Sequence, residues 1–184
     1  GEANEDISYN FCVKQAETAG DKKSLALLKK YGPPIKGQYK GGEGGFKGLT
    51  VQRKIMEKYG GYSVKKSGFF KTLVLPMLRS REYTIGDLIG IFRGYKLTLS
   101  TMWPTVTNYN FRTQCRKFKM PYYIFQGRLD KNTPSDLVEE FYVKIEAPDK
   151  ALIWFENSAH GPLNEEPERF KALLREKLKN ISDD

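Results

Sequence analysis

Asp130 and His160 combine residue type and spacing in a way that favours catalysis. Asp130 follows the apolar run 122–125, which ends at Gly127, and His160 follows a second apolar run, 151–155. Since functional groups gather beyond the carboxyl ends of parallel strands, we expect both side chains at one edge of a sheet. A carboxylate beside an imidazole can prepare it to activate a nucleophile, because the acid fixes the tautomer and stabilises the imidazolium.

Each of the two residues also has an interpretation without catalysis. His160 is the only histidine of the chain, and a single histidine in a loop is usually exposed or held by a hydrogen bond. Asp130 precedes Asn132 and Pro134, so a role in a turn or as a helix cap explains it equally well. Their equivalent places after two strands make the catalytic hypothesis stronger for the pair than for either residue alone.

The C-terminal part of the chain alternates strands with helices, and this order would position the pair. A helix is predicted from Pro134 to Ile145, because apolar residues recur there every four positions. A last helix is predicted to open at Glu166-Pro167 and to carry Phe170 and several leucines. The order strand, helix, strand, helix predicts an α/β fold with two parallel strands joined by a right-handed crossover.

The first 120 residues are predicted to form helices separated by glycine and proline. The first begins near Asn4, the second follows Asp21, the third carries Val51, Ile55 and Tyr59, the fourth is capped by Ser67, and the fifth runs from Thr84 to Trp103-Pro104. Apolar packing stripes are predicted in the fourth helix, at Phe69, Phe70, Leu73, Val74 and Met77, and in the fifth, at Ile85, Leu88, Ile89, Phe92 and Leu99. Residues 36–48 contain six glycines without the spacing of a phosphate-binding loop, so a flexible surface loop is predicted there.

Charge is unevenly distributed along the 184 residues, whose net charge is +9. Residues 1–120 carry 22 basic and 9 acidic side chains, whereas residues 121–184 carry 9 and 13. This asymmetry predicts two segments with different roles, divided near residue 120. A basic segment with interleaved aromatic residues gives one alternative function, a binding module for nucleic acid or an anionic surface. Because the lysines are dispersed and no RNP, KH or zinc-finger pattern is present, we predict no nucleic-acid partner.

Other classes of protein are disfavoured by what the sequence lacks. No apolar run approaches the ~18 residues of a membrane-spanning helix, and the acidic residues 1–6 do not resemble a secretory signal. Cys12 and Cys115 are too few for a disulfide framework and lack the spacing of metal ligands. The sequence therefore predicts no membrane partner, no metal, no cofactor and a cytoplasmic location.

Residues 121–184 resemble the C-terminal part of an α/β-hydrolase of the subgroup related to proline iminopeptidase. The matching pieces are residues 121–130 with Pro134, residues 147–150, the strand through Phe155, Ser158-Ala159-His160-Gly161-Pro162, and residues 165–170. In that family the triad runs Ser, Asp or Glu, then His along the chain, so the resemblance implies that Asp130 is the acid and His160 the base. It further implies that residues 1–120, with Glu82-Tyr83-Thr84 before the fifth helix, resemble the helical cap that covers the substrate.

The nucleophile serine that the resemblance implies is missing from this chain. The nearest string to the family's Gly-x-Ser-x-Gly elbow is Gly61-Tyr62-Ser63-Val64-Lys65, which lacks the second glycine and follows a predicted helix. The resemblance therefore implies an α/β-hydrolase fragment, a helical cap (1–120) followed by a β-α-β-α tail (121–184), which is inactive alone. Its expected partners are a small peptide or ester substrate, and either the missing N-terminal half of the core or a second copy at the open sheet edge. A noncatalytic α/β scaffold is the remaining alternative.

Overall fold

A computed structural model describes residues 2–42, 45–65 and 74–182 of the chain. The chain divides into two compact units. The helical unit comprises Gly1–Lys58 and Lys66–Tyr109, and the α/β unit comprises Tyr59–Lys65 and Asn110–Asp184. The main division lies between residues 109 and 110, whereas the sequence predicts it near 120. The short segment Tyr59–Lys65 also belongs to the second unit. That the first is a cap and the second part of a hydrolase core stays a prediction.

The described part of the helical unit contains α1 (Glu2–Thr18), α2 (Lys22–Tyr31), α3 (Phe46–Lys58), α4 (Leu75–Arg79) and α5 (Ile85–Asn108). Two of the helix starts follow from capping chemistry that the sequence predicts. The Asp21 carboxylate accepts a hydrogen bond from the Ser24 N–H at 3.1 Å. At the start of α5, Thr84 and Asp87 form a reciprocal capping box. Ser67, Phe69, Phe70 and Leu73, predicted for the fourth helix, lie outside the described residues.

Of the glycine-rich stretch 36–48 the structure describes residues 36–42 and 45–48, and parts of these are packed instead of lying on the surface. Its end is helical, because α3 begins at Phe46, and its central Tyr39 is only 6% exposed. Gly48 lies so close to this tyrosine that an added Cβ would sit 2.6 Å from the Tyr39 Cβ. The prediction of a surface loop is therefore wrong at Tyr39 and from Phe46 onward, and the absence of a Cβ at Gly48 allows its close approach to Tyr39. The flexibility of the stretch stays a prediction.

Helix α5 differs from its prediction at its end and along its packing face. It continues through Pro104 to Asn108, and the Trp103 indole N–H, directly before the proline, donates to the Gly37 carbonyl at 3.2 Å. Of the predicted stripe only Leu88 is buried; other members are exposed, namely Ile85, Ile89 and Phe92. No helix within the described ranges, α5 included, is long and apolar enough to cross a membrane.

A charged pair lies among the apolar side chains of the helical unit. Arg53 of α3 donates two hydrogen bonds to the Glu5 carboxylate of α1, at 2.7 and 3.1 Å. The Glu5 side chain is only 2% exposed and that of Arg53 21%. Cys12 is fully buried beside them, and burial raises the pKa of its thiol to about 12. The pair links α1 to α3, since each charge compensates the desolvation of the other.

The described part of the α/β unit contains α6 (Phe111–Gln114), β1 (Tyr122–Gly127), α7 (Ser135–Lys144), β2 (Lys150–Phe155), α8 (Pro162–Glu165) and α9 (Pro167–Ser182). The strands pair in parallel, with Tyr122 opposite Lys150 and Gly127 opposite Phe155. Both strands and their parallel arrangement agree with the sequence prediction, whereas the one-turn helices α6 and α8 were not predicted.

Helices cover both faces of this two-stranded sheet. Tyr122 and Phe125 of β1 point to opposite faces, because side chains alternate along a strand. The Tyr122 ring meets Phe141 of α7, with ring centroids 6.2 Å apart, and the Phe125 ring meets Phe170 of α9 at 4.9 Å. The sheet is thus the middle layer of three, and its carboxyl-terminal edge carries the loops that follow β1 and β2.

Candidate active site

The loops that follow β1 and β2 contact each other directly. The Leu129 N–H donates to the Ser158 carbonyl at 3.0 Å. Gly127 ends β1 so close to the second loop that an added Cβ would lie 1.9 Å from the Ala159 carbonyl oxygen. Because the parallel strands end at one edge of the sheet, these contacts bring the side chains of Asp130 and His160 together.

The Asp130 carboxylate is held by several donors and is only 3% exposed. Its Oδ1 accepts hydrogen bonds from the backbone N–H groups of Asn132 and Thr133, at 2.7 and 2.9 Å. Its Oδ2 lies 2.9 Å from His160 Nδ1. Asp130 therefore closes a turn, as one interpretation of the sequence suggests, and binds the histidine as well. It does not cap α7, whose N-cap is Pro134.

The imidazole of His160 has a partner at each ring nitrogen. Since the Asp130 oxygen is an acceptor, Nδ1 carries the proton that lies between them. In the neutral imidazole Nε2 then carries no proton, and it can accept from Asn132 Nδ2, which lies 3.1 Å away. The side chain is 36% exposed. The arrangement can hold a neutral imidazole in one tautomer with its basic nitrogen turned away from the carboxylate.

An earlier segment of the chain, Gly61–Lys65, packs against the histidine loop; we call it the Tyr62 strap. The Tyr62 carbonyl accepts a hydrogen bond from the His160 N–H at 3.0 Å. The rings of these two residues lie with their centroids 5.2 Å apart and their planes tilted by 39°. The Gly61 carbonyl accepts from the Lys131 N–H at 2.8 Å, so the strap contacts both loops of the site.

Two adjacent carboxylates bind the backbone just before His160. Glu165 Oε2 accepts from the Ala159 N–H at 2.6 Å, and its Oε1 accepts from the Ser63 hydroxyl at 3.0 Å. Glu166 Oε1 accepts from the Ser158 hydroxyl at 2.7 Å. The hydroxyl of Ser63 therefore hydrogen-bonds to Glu165, away from the imidazole.

An ion pair between Arg128 and Glu156 lies at the surface beside the site. Arg128 donates two hydrogen bonds of 3.1 Å to Glu156, at the ends of β1 and β2. These bonds lower the pKa of the Glu156 carboxyl. No group of three His, Cys, Asp or Glu side chains among the described residues could hold a metal ion.

The sequence prediction named the acid and the imidazole but missed the residues around them. Asn132, Tyr62 and Glu165 all contact the His160 side chain or its loop. The Tyr62 strap left no signal in the sequence, because Ser63 and Glu165 are 102 positions apart. Glu165 lies within the motif that resembles a hydrolase, but nothing in that motif indicates what it binds.

Comparisons with known proteins give one partial likeness. No family model matches the chain, and no solved structure matches it. The chain is similar to the probable aminopeptidase YbaC of Bacillus subtilis (strain 168), with 29% identity over 102 residues. The match covers 55% of this chain and 32% of that protein. The matched part of the chain thus spans only about a third of the length of that curated relative.

Proposed function

We propose that this chain supplies the acid, the base and the cap of a serine hydrolase that cleaves peptide or ester bonds. The nucleophile serine would lie in polypeptide outside these 184 residues. The observation that carries the proposal is the 2.9 Å contact between Asp130 Oδ2 and His160 Nδ1. It holds the imidazole in the tautomer that a general base requires.

The chemistry would follow from that tautomer. Nε2 of His160 would take the proton of the serine hydroxyl as the oxygen attacks the carbonyl carbon of the substrate. The same nitrogen would return the proton to the leaving amine or alcohol. Asp130 would stabilise the imidazolium between these steps, and Asn132 would have to move away from Nε2 before the serine could reach it.

The partial relative favours a peptide substrate within this class. The protein it matches is named a probable aminopeptidase, an enzyme that removes residues from the free amino end of a peptide. The helical unit would act as the cap, excluding water and limiting the size of the substrate.

Two features support a nucleophile outside this chain. Ser63, the serine nearest in sequence to an elbow motif, hydrogen-bonds to Glu165 instead of His160. The described sheet has only two strands, both apolar and parallel, with helices on both faces. Parallel sheets covered on both faces ordinarily contain more strands than this, so further strands would be expected from polypeptide outside the chain.

The first experiment uses the chain as it is. We expect no hydrolysis of p-nitrophenyl acetate above the rate of the His160→Ala variant, and no labelling by a fluorophosphonate that reacts with activated serines. Labelling of a serine in this chain, or turnover that His160→Ala abolishes, would place the nucleophile inside it and contradict the proposal.

The second experiment uses the full translation product of the gene. We expect it to hydrolyse an amino-acid 4-nitroanilide, and we expect Asp130→Asn and His160→Ala to lower kcat/KM by about 10³- to 10⁴-fold. The matched control is Asp136→Asn, at an exposed aspartate of α7, which should leave kcat/KM unchanged. Full activity of the Asp130→Asn enzyme would refute the assigned role of the pair.

A further inference from the structure

Glu165 joins two separate segments of the chain around His160. Its Oε2 accepts from the Ala159 N–H, directly before the histidine, at 2.6 Å. Its Oε1 accepts from the Ser63 hydroxyl at 3.0 Å and from the Val64 N–H at 2.5 Å. A single carboxylate therefore fixes both the histidine loop and the Tyr62 strap.

The strap in turn limits how the imidazole can move. Tyr62 accepts from the His160 N–H through its carbonyl and places its ring 5.2 Å from the imidazole. The far end of the strap is tied down by Lys65, whose ammonium donates to the Asn164 carbonyl at 2.8 Å. Rotation of the imidazole toward the strap would therefore have to displace the Tyr62 ring.

We infer that Glu165 is a positioning residue for His160, which holds the Tyr62 strap against the imidazole so that Nδ1 stays directed at Asp130. The inference rests on the proposed function for its catalytic meaning. A carboxylate suits the role because it only accepts hydrogen bonds, and all three groups that it meets are donors. A glutamine would turn an NH₂ group toward one of these donors and lose that bond.

The short helix α8 explains why Glu165 can reach both segments. It begins directly after Gly161, and Glu165 is its last residue. The chain thus turns back on the histidine loop within one helical turn. Glu166, the next residue, accepts a hydrogen bond from the Ser158 hydroxyl. The two carboxylates therefore bind neighbouring residues of the histidine loop, Glu166 at Ser158 and Glu165 at Ala159.

The test measures the ring of His160 directly, because it is the only histidine of the chain. In the ¹⁵N-labelled 184-residue chain at about pH 8.5, where an ordinary imidazole is neutral, the two ring nitrogens report the tautomer. We expect the Nδ1–H form to predominate in the unmodified chain. In Glu165→Gln we expect the Nε2–H form to rise roughly fivefold, since bonds to a charged acceptor are lost.

The matched control is Glu168→Gln, because Glu168 is exposed and forms a surface ion pair with Lys171 at 3.0 Å, within α9. It should leave the tautomer as it is. If Glu165→Gln alters stability while the ring nitrogens stay as in the control, Glu165 has a structural role alone and the inference is overturned.

A second variant covers the case in which Glu165→Gln does not fold. Tyr62→Leu removes the ring contact and leaves the bond from the Ala159 N–H to Glu165 in place. We expect it to shift the tautomer in the same direction. An unchanged tautomer in Tyr62→Leu would show that the strap does not hold the ring, and it would overturn the inference.

The effect of Glu165 on catalysis is tested separately, in the full translation product of the gene. We expect Glu165→Gln to lower kcat by about 10-fold or more with little change in KM, since the inference assigns this residue to the position of His160 and not to substrate binding. If Asp130→Asn and His160→Ala leave hydrolysis intact, the proposed function fails, while the ring-nitrogen measurement still decides the role of Glu165. If those variants are inactive and Glu165→Gln is fully active, the positioning role fails alone.

Discussion

The backbone of Gly127 touches that of Ala159 so closely that the two loops of the candidate site have no room for a side chain between them. A Cβ at position 127 would lie 1.9 Å from the Ala159 carbonyl oxygen and 2.5 Å from that of Ser158. Both of these atoms belong to backbone, which cannot rotate away as a flexible side chain does. The short distance between Asp130 and His160 therefore requires a residue without a Cβ at position 127.

Gly127→Ala should separate the two loops and loosen the sheet. We expect a loss of about 2 kcal/mol or more in the free energy of unfolding, and faster hydrogen exchange at the amides of β1 and β2. The matched control is Gly161→Ala, where an added Cβ would meet only the Asn164 side chain, at 3.7 Å. Equal exchange rates in the two variants would refute this account of the close approach.

Removal of one partner of the buried ion pair should destabilise the helical unit. Arg53→Met leaves the Glu5 carboxylate, 2% exposed, without its counter-charge. We expect a loss of about 3 kcal/mol in the free energy of unfolding, measured by urea denaturation. Lys54→Met, at the exposed neighbouring position, should change it by less than about 0.5 kcal/mol. Similar midpoints for the two variants would contradict a stabilising role for the pair.

The two cysteines should differ sharply in reactivity. Cys115 is exposed and Cys12 is buried, and burial raises the pKa of the Cys12 thiol to about 12. Because the thiolate is the reactive form, we expect one thiol per chain to react with a disulfide reagent such as DTNB in the folded protein and two in guanidinium chloride. The folded Cys115→Ser variant should not react with DTNB. A reaction that persists in this variant would mean that Cys12 is accessible.

Alkaline pH should weaken the helical unit. The pKa of an unfolded cysteine is 9.0, whereas burial raises the pKa of folded Cys12 to about 12. Between these two pH values the unfolded state therefore binds fewer protons than the folded state. The free energy of unfolding falls there by about 1.4 kcal/mol per pH unit. Burial also raises the pKa of Tyr39, which extends the loss above pH 10.

The control for this pH dependence is Cys12→Ala. That variant removes the titrating thiol, so its free energy of unfolding should change less between pH 9 and 10 than that of the unmodified chain, whatever its absolute value. Parallel pH profiles for the two proteins would show that Cys12 is not the source of the effect.

Local patterns in the sequence predicted what depends on near neighbours. Both strands and the helix starts at Asp21 and Thr84 depend on residues within a few positions. The continuation of α5 through Pro104 was not predicted, and the bond from Trp103 to Gly37 beside it spans 66 positions. The same distinction applies to the candidate site. Strand ends indicate where Asp130 and His160 lie, whereas the contacts of Glu165 with Ser63 and Val64 depend on distant parts of the chain.

The layering of the α/β unit restricts how its sheet can be extended. Within the described residues β1 and β2 pair only with each other, and helices already occupy the faces above and below. Any additional strand must therefore join sideways, through main-chain hydrogen bonds that every amino acid except proline can make. Growth of this kind leaves the packing of α7 and α9 untouched. The faces of the sheet are therefore specified by particular rings, whereas its borders are open to backbone of almost any sequence.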